Sequence, residues 1–243
     1  MNKNNKGFTL VELLVVIGIL GILMGALFPA ISSAMVKANL SACGMRGRNL
    51  FVAITAANTE REALGLGNCW PQEAQESADE NDKIAKQGTP DALTYFKYLF
   101  DVDNFGKETW KPYVSGIDIG VLSGAGVPVA AKPDQLQSKN ILWTVLQNVS
   151  DELDDVIPVL ISRNLDDSKL IVSGTYSGDS QDIELGQVNA TPFGNKAFVC
   201  IRKGGAVITQ TSKYATTGII YNRQSFTIPT LDNPPKYLRP EAK

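Results

Sequence analysis

One carboxylate, Glu12, stands in a segment otherwise fit for lipid. From Phe8 to Ile31 it is the only charge, and only Thr9 shares its polarity. A charged side chain well inside a bilayer costs roughly 2.5–3.5 kcal/mol on insertion scales. A charge that is expensive alone and cheap when paired favours the contact that pairs it. The second candidate is the Gly7-Phe8 junction, where the polar leader ends and the apolar run begins.

Elsewhere the chain is poor in reactive groups. It has no histidine, so His-based triads and His metal sites are excluded. It has no C-x-x-C, no P-loop and no G-x-G-x-x-G. Asp101-Val102-Asp103-Asn104-Phe105-Gly106 begins like a calcium loop, but Phe105 and Pro112 stand where it needs ligands. The cysteines are Cys43, Cys69 and Cys200. In an oxidising compartment two of them can pair, leaving one over. Three buried free thiols are the equal alternative, and spacing does not choose between them.

These residues need elements to carry them. The leader, Met1 to Gly7, has Lys3 and Lys6 and no acid. The apolar run is about 36 Å long as a helix, enough to cross a bilayer of about 30 Å. The lysines predict a cytoplasmic N-terminus and an extracytoplasmic remainder. A cleaved secretory signal would have a shorter apolar core before Ser32-Ser33-Ala34 and no Glu12. Apolar or small residues then recur at Val36, Leu40, Cys43, Gly47, Leu50, Phe51, Ile54 and Ala57. This spacing predicts one helix from about Phe8 to Glu62, on the order of 80 Å long.

Gly7-Phe8-Thr9-Leu10-Val11-Glu12 resembles the start of type IV prepilins and type II secretion pseudopilins. The resemblance implies a prepilin peptidase that cuts after Gly7 and methylates the new amine of Phe8. It implies that Glu12 meets the N-terminal amine of a neighbouring subunit during filament assembly. A first-turn glutamate favoured by the helix dipole is the plainer reading of Glu12. Pro29 lies at the distance from Glu12 of a proline common in pilins, where it bends or loosens the helix. Gly18, Gly21 and Gly25 suit close helix approach in membranes. The cysteine spacing does not resemble the C-terminal disulfide loop of many type IV pilins. Calcium is a cofactor of some pseudopilins; Asp166 with Asp167, or Asp179 with Asp182, are acids that would serve. No other cofactor or metal is expected.

Beyond the helix, Gly65 to Pro71 breaks the pattern. Residues Glu73 to Gln87 read as an exposed loop. Thr89-Pro90 reads as the cap and first turn of a short helix with Leu93, Phe96, Leu99 and Phe100 on its apolar face. Residues Asp101 to Pro133 read as irregular. Asn140 to Leu153 reads as a helix. Strands are predicted at Val156–Ile161, with Pro158 marking an edge or a start, and at Lys169–Ser173. Lys196–Arg202 and Ala206–Thr211 flank Lys203-Gly204-Gly205, a hairpin signal. The tail from Pro234 to Pro240 reads as loosely ordered.

The expected fold is α+β: a cleaved leader (1–7), a long helix (8–62) spanning the membrane at about 8–31, and a globular head (63–243). The second half of the helix packs on the head, which holds a small antiparallel sheet. The net charge is −2, and loss of Lys3 and Lys6 leaves 21 bases against 25 acids, a net −4. That balance does not point to nucleic acid, although Arg202-Lys203 is a local basic pair. The expected role is a non-enzymatic subunit in a bacterial inner membrane. The resemblance implies as partners the prepilin peptidase, other pilin or pseudopilin subunits and an inner-membrane assembly platform. A type II secretion pseudopilus is favoured over a type IV pilus. A membrane-anchored binding protein that never polymerises is the competing class.

Overall fold

The computed structural model describes residues 9–76, 82–186 and 191–240. Helix α1 runs from Leu10 to Ala63 without interruption, through Pro29. The chain divides into two compact units, Met1–Ala38 and Asn39–Lys243.

In the first unit every large apolar side chain from Leu10 to Met35 is exposed. This stretch of α1 is long and apolar enough to cross a membrane, and none of its most apolar window is buried.

In the second unit α1 becomes one-sided. Leu40, Cys43, Gly44, Gly47, Leu50, Ala53, Ile54, Ala57 and Arg61 are buried. The face lies on a five-stranded antiparallel sheet of order β5-β4-β2-β1-β7. Its strands are β1 (Trp143–Gln147), β2 (Pro158–Ser162), β4 (Ala197–Arg202), β5 (Val207–Thr211) and β7 (Lys236–Leu238). The helix can approach because two of its contact residues lack side chains. A Cβ on Gly44 would come within 3.0 Å of Val207, and one on Gly47 within 2.5 Å of Trp143. A second sheet pairs β3 (Gly174–Tyr176) with β6 (Phe226–Ile228) around the packed rings of Tyr176, Tyr221 and Phe226.

The predicted hairpin forms, with Val199 opposite Thr209 at its centre. Arg202 N–H donates to Ala206 O and Ser212 N–H to Lys196 O, so the ladder's alternation turns the N–H groups of Val207, Thr209 and Thr211 away from β4. They face an edge that no described strand covers.

Several expectations are corrected. Residues 140–153 form no helix. They contain β1, whose five residues are all buried, and a strand covered on both faces is apolar throughout. Asn148, at φ 59°, then turns the chain. The short helix α3 is Ala92–Leu99, capped by Asp91 and not by Thr89, with Ala92, Tyr95, Phe96 and Leu99 buried. The Thr89 hydroxyl is spent on Gln72, accepting from its N–H and donating to its C=O, each at 3.1 Å. Residues 73–87 are not all exposed loop. Lys83–Gln87 form α2, with Ile84 and Ala85 buried, and its cap Asp82 is fully buried on Arg61. Residues 167–169 make a single 3₁₀ turn, and β3 starts only at Gly174. Pro158 starts β2, an inner strand. The tail is ordered: β7 pairs with β1, Tyr237 O–H donates to Pro158 O at 2.9 Å, and Arg239 pairs with Asp167. One further short helix, α4, spans Thr217–Ile220.

Candidate processing and assembly segment

The start of α1 is closed by two side chains. Thr9 C=O accepts from Leu13 N–H at 3.2 Å, which makes Thr9 the cap of the helix. Its N–H and its hydroxyl both donate to Glu12 Oε2, at 2.8 and 2.7 Å. Glu12 N–H donates back to Thr9 Oγ1 at 3.2 Å. This is a reciprocal capping box, which satisfies two helix-start donors at once. Thr9 is the residue that sequence reasoning passed over. Its signal was present as a threonine three residues before a glutamate at the head of an apolar run.

Glu12 is the only charged residue between Thr9 and Val36. Pro29 has no N–H to give the carbonyl four residues back, yet α1 continues on both sides of it. A Cβ at Gly18, Gly21 or Gly25 would meet nothing within 4 Å, so those positions present bare backbone to their surroundings. Gly7 and Phe8 lie outside the described residues.

The other chemical candidates take structural roles. Cys43, Cys69 and Cys200 are all free and buried, Cys43 in α1, Cys69 in the irregular segment after it and Cys200 in β4. Burial pushes the Cys43 thiol up to about 11 and those of Cys69 and Cys200 up to about 12. The carboxylate of Asp101 is closed by Lys83 Nζ at 3.2 Å, Asn104 Nδ2 at 2.9 Å and Lys111 N–H at 3.0 Å. Asp166 and Asp167 face Arg239. Asp179 accepts from Ser177 Oγ at 2.6 Å, and Asp182 bridges to Thr216. Among the described residues no group of three or more such side chains could hold a metal ion. The Arg202-Lys203 pair is not an open basic patch. Arg202 is buried and donates to Ile220 O and Ile219 O, while Lys203 Nζ donates to Leu153 O and Asp151 O.

Residues 2–28 match the prokaryotic N-terminal methylation motif. The chain carries the type IV prepilin and pseudopilin signature. The motif covers the start of the helix that Thr9 and Glu12 close and implies processing by a prepilin peptidase, and the apolar helix with this motif fits a membrane-anchored protein. Searches of curated proteins and of solved structures gave no match.

Proposed function

We propose that the chain is a structural subunit of a type II secretion pseudopilus and not an enzyme. Prepilin peptidase cuts after Gly7 and methylates the amine of Phe8. The mature subunit waits in the inner membrane as a single-pass protein, its N-terminal end cytoplasmic and its head outside. An assembly platform then feeds it into a helical filament, where Glu12 pairs with the Phe8 amine of a neighbouring subunit. The observation that carries this reading is the methylation motif on a helix whose apolar half has one charge, Glu12. A plain anchor needs neither the Gly7 junction nor that carboxylate.

Free cysteines in α1, in the segment after it and in β4 favour the pseudopilus, since they form no C-terminal disulfide loop. A type IV pilus subunit is the second reading, because the motif is common to both.

Intact-mass analysis of the membrane fraction tests the processing step. The expected chain begins at Phe8 with one added methyl, and Gly7→Glu blocks the cut. A chain beginning at Met35 would mean ordinary signal peptidase and no filament role. Glu12→Ala should be cut and stay in the membrane but yield few, short filaments. Deleting the chain from its host should stop secretion of exported proteins; loss of surface fibres with normal secretion would select the pilus.

A further inference from the structure

We propose that Thr9 is a positioning residue for assembly: it holds Glu12 by one carboxylate oxygen and leaves the other for the incoming amine. The inference rests on the assembly reading above. Both Thr9 donors converge on Oε2, the N–H at 2.8 Å and the hydroxyl at 2.7 Å. Oε1 has no partner among the described residues.

Two consequences follow from that asymmetry. A glutamate has three side-chain torsions, and freezing them opposes any contact made at the moment of docking. The box with Thr9 freezes them in advance, because the Thr9 N–H and hydroxyl both hold the side chain by its Oε2. The amine of the next subunit then meets a carboxylate already aimed. The bond to Oε2 also supplies two donors to a charge that lipid leaves bare, which lowers its cost while the subunit waits. Thr9 and the amine do not compete, because a carboxylate accepts on both oxygens.

A threonine that only capped the helix would do neither job, and substitutions separate the cases. Thr9→Val removes the hydroxyl and keeps the shape. Thr9→Ser keeps the hydroxyl. Thr9→Asp is a good helix cap but has no hydroxyl to donate. The measurement is sheared-filament yield from the full chain, divided by the amount of mature chain in the membrane fraction, with Glu12→Ala run in parallel. Thr9→Val should lower the yield about five-fold, the ratio that the loss of one hydrogen bond of about 1 kcal/mol to Glu12 implies. Thr9→Ser should restore it, and Thr9→Asp should not. A Thr9→Val yield equal to or above wild type overturns the proposal, since a threonine that competed with the amine would raise assembly when removed. Rescue by Thr9→Asp reduces Thr9 to a helix cap. A block in cleavage with Thr9→Val would assign the hydroxyl to the peptidase instead. Normal filaments with Glu12→Ala would remove the assembly reading itself, whereas loss with Glu12→Ala beside a normal Thr9→Val removes only this inference.

Discussion

Gly47 of α1 lies directly against the indole of Trp143 in β1. A Cβ there would sit 2.5 Å from Trp143 Cη2, 2.9 Å from Cζ2 and 3.0 Å from Ile201 Cδ1. The indole cannot retreat. It is fully buried, and its Nε1–H donates to Val121 O at 2.9 Å.

Gly47→Ala therefore sets two effects against each other. Alanine gains about 1 kcal/mol of helix propensity, and overpacking costs about 1–3 kcal/mol. Against a pinned ring the overlap wins, and the fragment 39–243 should lose about 1–2 kcal/mol in urea unfolding. Gly44 faces the half-buried methyl groups of Val207 and Thr209 at 3.0 and 3.1 Å, which can yield. Gly44→Ala should be within about 0.5 kcal/mol of wild type. Equal losses at both positions would show that the ring is not what limits the approach.

The last turn of α1 holds a buried ion pair, Arg61 with Asp82, whose side chains are 11% and 0% exposed. Arg61 also donates through Nε to Gly67 O at 2.6 Å and lies over the Tyr113 ring. Asp82 caps α2 by accepting from Ala85 N–H at 3.1 Å. Arg61→Met strips the guanidinium from a buried carboxylate and should cost about 3–5 kcal/mol. Adding Asp82→Asn removes the stranded charge and keeps the cap, so the double variant should be the more stable of the two. Unfolding midpoints of both variants check this ordering.

The three thiols give the head an alkaline limit. Each is neutral in the fold to a higher pH than in the unfolded chain, about 11 for Cys43 and about 12 for Cys69 and Cys200 against 9.0. Above pH 9 the unfolded chain has released these protons and the fold has not. Their contribution is complete below pH 9 and declines as pH rises through 11 to 12, by at most about 1.4 kcal/mol per pH unit for each thiol. Urea unfolding between pH 8 and 11 should trace the fall. At pH 8 an aromatic disulfide reagent should react with all three thiols only after unfolding; rapid reaction of the native fragment would contradict their burial.

How far the sequence led depended on how local each signal was. The buried stripe of α1 repeats within the helix itself, so Leu40, Cys43, Gly47, Leu50, Ile54 and Ala57 were readable before any partner was known. Lys203-Gly204-Gly205 likewise marked its own hairpin. The β1 strand was misread because Leu142, Val145, Leu146 and Val149 fit a helical period, while burial on both faces made the strand look the same. The β7 strand was missed because its partner, β1, is remote in sequence and its own segment is rich in proline. The α2 helix depends on Asp82 meeting Arg61 across an intervening loop, which no local pattern announces. At the processing segment, Glu12 drew the attention that Thr9 shared.

The bare edge of β5 has a consequence for how heads can meet. Val207, Thr209 and Thr211 point their N–H groups outward from a strand without charge, proline or bulge, the devices that ordinarily blunt an edge. Two copies can zip β5 to β5 antiparallel, through a dyad perpendicular to the sheet. That dyad reverses the in-plane direction of the α1 segment lying on each sheet. Such a pairing closes at two copies: β5 is used up at the seam, and β7 stands at both outer edges of the joined sheet.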